Sequence, residues 1–137
     1  MKNIEGSCHC GSVHFKAAVD PEKVFVCHCT DCQTLSGSPF RVVALCGAET
    51  LKWLGEKPNK YVKTAHSGKR RVQAFCGTCG SPIYSSDDVE SPAIYALRAG
   101  CIHQRDELQP KAQMWCQSTQ QWLETLSDLP KFEKQLG

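Results

Sequence analysis

The side chains best suited to chemistry in this chain are cysteines, of which there are ten among 137 residues. Seven of them fall in three short clusters with the spacings CxC, CxCxxC and CxxC. The clusters are Cys8 and Cys10; Cys27, Cys29 and Cys32; and Cys76 and Cys79. Thiolates at such spacings are typical ligands of Zn²⁺. The sequence therefore predicts a metal protein that binds two zinc ions per chain.

The CxxC cluster needs a second pair of thiols, because a structural zinc ion takes four ligands. Gly77 and Gly80 allow the tight turn that brings both thiols of this cluster onto one ion. The CxC pair is the natural partner, and residues 11–75 lie between the two. A metal crosslink across so long a loop stabilises a fold strongly. We therefore predict a closed structural site on four cysteines, called the quartet below: Cys8, Cys10, Cys76 and Cys79.

The CxCxxC cluster, called the trio below, consists of Cys27, Cys29 and Cys32. Three protein ligands with one coordination position left open are the arrangement of a catalytic zinc. A helical turn beginning next to Cys32 would favour its thiolate form. The trio therefore predicts a second, open zinc site.

Other interpretations of the cysteines stay open at this point. A disulfide network is one, and a redox pair at Cys76 and Cys79 is another, although the βαβ context of such a pair is missing. In a third, both zinc sites are closed and structural. The fourth ligand of the trio would then be one of four residues: Cys46, Cys101, Cys116 or His28.

The three isolated cysteines, Cys46, Cys101 and Cys116, are more typical of small buried hydrophobic residues than of ligands. Cys101 is the candidate exception, since it follows a glycine at the end of a predicted strand and is in a position to reach a cleft. His9 and His28 lie between clustered cysteines. Alternate residues of an extended chain face opposite ways, so we expect both imidazoles to point away from the metals.

Two further kinds of side chain have candidate roles. Arg41 is a candidate partner for a substrate carboxylate or, equally, a surface residue of a strand. Trp53, Trp115 and Trp122 are expected to pack in the core or at an edge, with one of them available to wall a ligand pocket. No general acid or base is identifiable in the sequence.

Short β-strands must position these side chains. Val13–Val19 alternates with a period of two, which places Val13, Phe15, Ala17 and Val19 on one face. Glycine and proline separate further strand candidates. These are residues 24–26, 40–45, 50–54, 60–63, 72–75 and 93–98, with turns at 55–59 and 67–69. The pattern predicts a protein of the all-β class, that is, one made mainly of β-strands with a few short helices.

Helical signals are few. Residues 31–35 are predicted to form one turn after the trio, and 119–126 and 130–136 are predicted to form short helices. In the last of these, Pro130 would occupy the first position. Phe132 and Leu136 would then pack inward, while the two lysines of this segment face solvent.

Composition limits the class of protein. The length fits a single zinc-binding domain over residues 1–137. A net charge of +2 is too small to indicate nucleic-acid binding, and Lys69–Arg71 reads as a solvated hairpin edge. No apolar run is long enough to span a membrane, and the first residues do not read as a signal peptide. We therefore expect a cytoplasmic protein without nucleic-acid or membrane partners.

Three segments together resemble the glutathione-dependent formaldehyde-activating enzyme family, also called centromere-protein-V-like. They are Gly6–Gly11, Cys27–Gln33 leading to Ser36–Gly37, and Phe75–Ser81. Trp115, Trp122 and Asp128–Glu133 are similar to the ending of the family. The resemblance extends from about residue 4 to residue 134, with the cysteine clusters in the same order.

The resemblance implies a β-tent fold, in which small antiparallel sheets meet near a zinc site. It implies a structural zinc on the quartet and a second zinc on the trio. It also implies a carbon–sulfur lyase activity of the S-hydroxymethylglutathione synthase type, with glutathione or a similar small thiol as partner. Cys101, His103 and Gln113 stand where members of the family often have other residues, at positions expected to shape the ligand pocket.

From these observations we expect an enzyme whose open zinc binds a thiol, and whose bound sulfur adds to formaldehyde or another small aldehyde. The alternative is a non-catalytic zinc module with two structural sites. The fourth ligand of the trio's zinc separates the two hypotheses.

Overall fold

The chain folds into nine β-strands, one α-helix and five short 3₁₀ segments in a computed structural model that describes residues 1–136. The strands are β1 Lys2–Ser7, β2 His14–Cys27, β3 Arg41–Gly47, β4 Lys52–Trp53, β5 Asn59–Thr64, β6 Arg70–Phe75, β7 Pro82–Asp87, β8 Ile94–Arg98 and β9 Ala112–Met114. The helix is α1, Thr30–Ser36. The 3₁₀ segments are Ala48–Thr50, Ala99–Cys101, Arg105–Glu107, Cys116–Ser118 and Gln121–Asp128. The predicted mainly β fold class is confirmed.

The strands join into one hydrogen-bonded sheet with the order β1-β2-β3-β8-β7-β6-β5, and both β4 and β9 pair with β2. These pairings are antiparallel except β2 with β9, which is parallel. The sheet is therefore built from two antiparallel groups, β1–β4 and β5–β8, which join where β3 pairs with β8.

The core lies where the alternating face of β2 meets the neighbouring strands. Val13, Phe15, Ala17 and Val19 are all buried, as their spacing predicts. Phe15 packs edge-on against Trp53, with ring centroids 5.5 Å apart. One tryptophan is thus a core-facing residue, while Trp115 and Trp122 are largely exposed.

Several predicted elements differ from the structure at their ends or in type. Strands β1, β7 and β9 were not predicted, because their sequences lack a clear alternation of apolar and polar residues. Each is a strand because it pairs with a neighbouring one. The predicted helix over 119–126 is a 3₁₀ segment, Gln121–Asp128. The helix predicted over 130–136 is wrong, and Phe132 and Leu136 are 61% and 75% exposed rather than packed inward.

Of the isolated cysteines, Cys46 is buried, as expected of a small hydrophobic residue, and Cys116 is exposed. Cys101 is buried and lines a cavity, as its position at the end of a strand predicted. Within residues 1–136 the cysteines are free thiols, so the disulfide network is not formed. Over the same residues, no helix has the length and apolar character needed to cross a membrane.

Candidate metal centres

The quartet is assembled by two chain reversals that come from opposite ends of the sheet. Cys8 and Cys10 lie in the connection between β1 and β2, and Cys76 and Cys79 lie between β6 and β7. Their four sulfur atoms lie within 4.8 Å of one another. The structure therefore brings together both pairs that spacing alone had matched. Their role as metal ligands stays a prediction.

The two reversals have the same backbone design. The first cysteine of each donates its N–H to a carbonyl five residues later, from Cys8 to Val13 at 2.9 Å and from Cys76 to Ser81 at 2.9 Å. Gly80 has a φ of 79°, which a residue with a side chain rarely adopts, and its N–H returns to the Cys76 carbonyl at 2.8 Å. This geometry points both sulfur atoms of each pair toward the other pair.

The sulfur spacing fits a tetrahedral ion. Zinc–sulfur bonds of about 2.3 Å in a tetrahedron place neighbouring sulfurs about 3.8 Å apart. Cys8 Sγ lies 3.6 Å from Cys10 Sγ, and Cys10 Sγ lies 3.8 Å from Cys76 Sγ. Backbone N–H groups of Thr78 and Cys79 each donate to Cys76 Sγ at 3.4 Å. The quartet therefore has the donor set and the spacing that a structural zinc requires.

Two serine hydroxyls that were not singled out in the sequence support the quartet. Ser81 Oγ lies 3.2 Å from Cys79 Sγ, and it accepts a hydrogen bond from the His9 N–H at 3.0 Å. Ser12 Oγ lies 3.4 Å from Cys76 Sγ. The hydrogen bond from Ser81 lowers the pKa of Cys79 to about 5, and that from Ser12 lowers the pKa of Cys76 to about 7. Both hydroxyls thus stabilise the thiolates that metal binding needs.

The trio forms at the junction between β2 and α1. Cys27 is the last residue of β2, Cys29 is the N-cap of α1, and Cys32 lies in its first turn. The three sulfur atoms lie within 4.8 Å of one another, and Cys29 Sγ accepts the Cys32 N–H at 3.2 Å. The predicted turn over 31–35 is the helix Thr30–Ser36. This local geometry fits three ligands of one ion.

The thiols of the trio interact strongly with one another and with a nearby lysine. The hydrogen bond from Cys32 lowers the pKa of Cys27 to about 5, and the Lys63 charge acts in the same direction. The same thiol contact raises the pKa of Cys32. A divalent cation bound to all three sulfur atoms would offset most of their negative charge, and so would allow the three thiolates to coexist.

Within residues 1–136, no fourth side chain of a metal-binding type lies with the three thiols of the trio. The group of donor atoms contains the three thiols alone, and Cys46, Cys101 and Cys116 lie outside it. His28 lies outside it as well. Its side chain is buried, and its Nε2 lies 2.8 Å from Gln113 Oε1. The imidazole therefore points away from the trio, as expected, although into the interior rather than toward the surface.

A cavity of about 400 Å³ is lined by chain neighbours of the quartet cysteines and by residues of α1, β3 and β8. It is lined by His9 and Ser81 from the quartet region, Ser36 from α1, and Arg41 and Arg98 from β3 and β8. Arg41 is only 6% exposed, so the interpretation as a surface residue is wrong. Arg98 was not noticed in the sequence, because a single arginine in a short strand does not reveal its burial.

Burial affects both arginines. It lowers the pKa of Arg98 to about 9, and it lowers the pKa of Arg41, although the negative charges of the trio thiolates act in the opposite direction. A second cavity of about 660 Å³ borders the trio at Cys29 and is walled by Lys63, His66 and Trp115. Trp115 thus walls this cavity, and Trp122 lines a third cavity of about 440 Å³.

Comparison with known families agrees with this geometry. A family model described as glutathione-dependent formaldehyde-activating enzyme matches residues 3–118, which include the quartet and the trio. The chain belongs to this family. Membership confirms the resemblance carried by the cysteine clusters, and it extends over β1 to β9 of the fold.

Two relatives illustrate the similarity within the glutathione-dependent formaldehyde-activating family. An uncharacterized lyase of Schizosaccharomyces pombe is 30% identical over 84 residues, 61% of this chain and 58% of that protein. A putative glutathione-dependent formaldehyde-activating enzyme of Halomonas elongata is 30% identical over 88 residues, 61% of this chain and 56% of its own length. The matches thus span less than two thirds of either relative.

A solved structure supports the fold. The crystal structure of a Rhodobacter sphaeroides protein aligns with a TM-score of 0.60 at 18% identity, covering 80% of this chain and 99% of that one. At this identity the likeness concerns the fold alone.

Proposed function

We propose that this chain is a zinc-dependent carbon–sulfur lyase-like enzyme, which acts on the adduct of a small thiol such as glutathione with formaldehyde or another small aldehyde. The proposal rests on one observation above all. Three thiols converge within 4.8 Å, and within residues 1–136 no fourth donor joins them. The family and the names of its relatives favour the same chemistry.

The two centres would divide the work. The quartet would hold a structural zinc that joins the β1–β2 and β6–β7 connections. The trio would hold the second zinc, and the bound ion would keep a substrate thiol deprotonated at neutral pH. Cys27, Cys29 and Cys32 would act as ligands of this ion. The cavity of about 660 Å³ reaches Cys29, and the charges of all three thiols act on Arg41, which lines the cavity of about 400 Å³.

The reaction balances without an oxidant or reductant. In the direction of adduct formation, the thiolate sulfur forms a bond to the carbonyl carbon, and the π electron pair of the carbonyl moves to its oxygen. The thiol loses one proton from its sulfur, and the carbonyl oxygen takes up one proton to become a hydroxyl group. In the lyase direction the carbon–sulfur bond breaks and the carbonyl re-forms.

The free thiols of the chain are consistent with a reducing, cytoplasmic location, which we propose as well.

The test replaces zinc with cobalt, whose visible spectrum reports its ligands. Titration with glutathione should change the bands of the trio site in the wild-type protein. Cys32→Ser should abolish this response and lower the metal content to one ion per chain. Cys116→Ser is the matched control, since Cys116 is exposed and lies outside both sets. A cobalt spectrum indifferent to thiols would overturn the proposal in favour of a non-catalytic module with two structural sites.

A further inference from the structure

Buried polar atoms that lack a hydrogen-bond partner are concentrated at one place in this molecule. Within residues 1–136 they belong to four side chains, those of His28, Ser36, Arg41 and Arg98. Three of the four, Ser36, Arg41 and Arg98, line the cavity of about 400 Å³. Unpaired buried polar groups destabilise a protein, so a cluster of them around a cavity indicates a polar ligand.

The two arginines share a face because of the strand register. Val43 of β3 lies opposite Arg98 of β8, and Arg41 lies two residues from Val43 on the same face. Arg41 and Arg98 are 6% and 7% exposed, so more than nine tenths of each is buried. Two diagonal neighbours therefore direct guanidinium groups toward one space.

The existing partners leave these guanidinium groups incompletely satisfied. Arg98 Nη2 donates to Gln73 Oε1 at 2.7 Å, while its Nε has no partner. Arg41 has no partner at Nε or Nη2. Among the ion pairs of residues 1–136, none involves either arginine. Buried arginines without a carboxylate are unusual, since a buried charge is normally paired.

Charge decides which kind of ligand fits. The trio thiolates lie near Arg41 and attract its charge. Before a substrate thiol binds, a zinc ion on three thiolates would carry a formal charge of −1, which is too little to offset both arginines. Gln73, the partner of Arg98, is neutral. One positive charge is therefore left in the cavity, and it matches a single negative charge on a ligand.

We propose that the cavity is a carboxylate-binding subsite, in which Arg41 and Arg98 bind the two carboxylate oxygens and Ser36 adds a hydroxyl contact. A planar carboxylate suits guanidinium donors, which bind it through parallel N–H bonds. This inference rests on the proposed function and identifies the substrate class: a carboxylate is carried either by the thiol or by the carbonyl compound.

The experiment measures binding to the zinc-loaded protein by calorimetry with matched probes. For the thiol, 3-mercaptopropionate is compared with the neutral 2-mercaptoethanol. For the carbonyl compound, glyoxylate is compared with the neutral glycolaldehyde. The charged member of at least one pair should bind about tenfold tighter or better, the effect of one charge-assisted hydrogen bond. The pair that shows the preference identifies which substrate carries the carboxylate.

Two variants connect the preference to the arginines. Arg98→Gln should reduce the preference to about twofold or less, because the remaining donors no longer surround the carboxylate. Arg70→Gln is the matched control, since Arg70 lies on the exposed side of β6 and pairs with Asp88 at 3.0 Å. It should keep the full preference. An unchanged preference in Arg98→Gln, or no preference in either pair of probes, would overturn the proposal.

A measurement on the wild-type protein guards against misfolding of the variant and separates this proposal from the previous one. Propionate should raise the thermal midpoint at concentrations where the neutral isostere propionamide does not. This result requires no thiol. If cobalt ignores thiols while propionate still stabilises, the proposed function fails and the subsite stands. If cobalt responds to thiols while propionate and propionamide act alike, the subsite fails and the proposed function stands.

Discussion

At the scale of single residues, the thiolates of the quartet depend on hydroxyl groups that sit beside them. Ser81 contacts Cys79 Sγ at 3.2 Å and receives the His9 N–H, so one hydroxyl joins both arms of the centre. Its hydrogen bond is the largest cause of the lowered pKa of Cys79. We therefore expect this serine to influence the pH at which protons would displace a metal bound at the quartet.

We expect Ser81→Ala to release zinc from the quartet at higher pH than the wild-type protein does. Ser81 holds the pKa of Cys79 below its ordinary value of 9.0, so the thiolate persists as the pH falls. Without that hydrogen bond the thiol gains its proton earlier in an acid titration. Metal release followed with a colorimetric zinc indicator checks the shift. Ser67→Ala, in an exposed turn, should leave the midpoint unchanged, and equal midpoints for all three proteins would contradict the prediction.

At the scale of elements, the clustered cysteines lie at strand ends and in the connections that follow them, and the strands hold these connections in place. Each arm of the quartet is a tight reversal closed by backbone hydrogen bonds at 2.8–3.2 Å. The trio uses the end of β2 and the first turn of α1. Each arm of the quartet needs one residue with left-handed backbone geometry, and this residue is Gly11 in the first arm and Gly80 in the second.

We expect Gly80→Ala to lower the free energy of unfolding of the zinc-loaded protein by about 1–2 kcal/mol. The cause is conformational, since φ is 79° and an added methyl group would meet no atom within 4 Å. Gly100→Ala is the matched control, because its methyl group also meets open space, but its φ lies outside the left-handed region. Urea unfolding of both variants measures the difference. A loss of the same size in each would show that the backbone conformation is not the cause.

At the scale of the whole molecule, the two centres connect very different lengths of chain. The quartet joins the β1–β2 connection to the β6–β7 connection, whereas the trio lies within residues 27–32. Closing a long loop restricts the unfolded chain more than closing a short one. We therefore expect folding to depend on a metal bound at the quartet, and a metal bound at the trio to be removable with little structural loss.

We expect a graded chelator titration to remove zinc in two steps. The first ion, from the trio, should leave with the circular dichroism of the sheet unchanged. The second, from the quartet, should leave together with cooperative unfolding. Metal content and circular dichroism are measured on the same samples. Unfolding that accompanies loss of the first ion would contradict this assignment.

How far the sequence predicts this molecule depends on the range of the interaction. The alternation of residues 13–19 predicts the buried face of β2, because a strand's period is a local property. The short helix after the trio is also predicted, because a helical turn likewise depends on neighbouring residues. The segment 130–136 shows the limit, since a helix-like pattern forms no helix where its apolar side chains have no surface to pack against.

The sequence by itself predicted which thiols cluster, because CxC and CxxC spacings at a chain reversal bring their sulfur atoms within reach of one ion, whereas the meeting of the CxC and CxxC pairs across residues 11–75 required the fold. Only the tertiary structure decided that Arg41, Arg98 and Ser36 converge on one cavity. That convergence depends on the pairing of β3 with β8 and on where α1 rests, and neither is encoded in local spacing. Burial of a charge is a property of the assembled sheet, so the features that would select a substrate become visible only there.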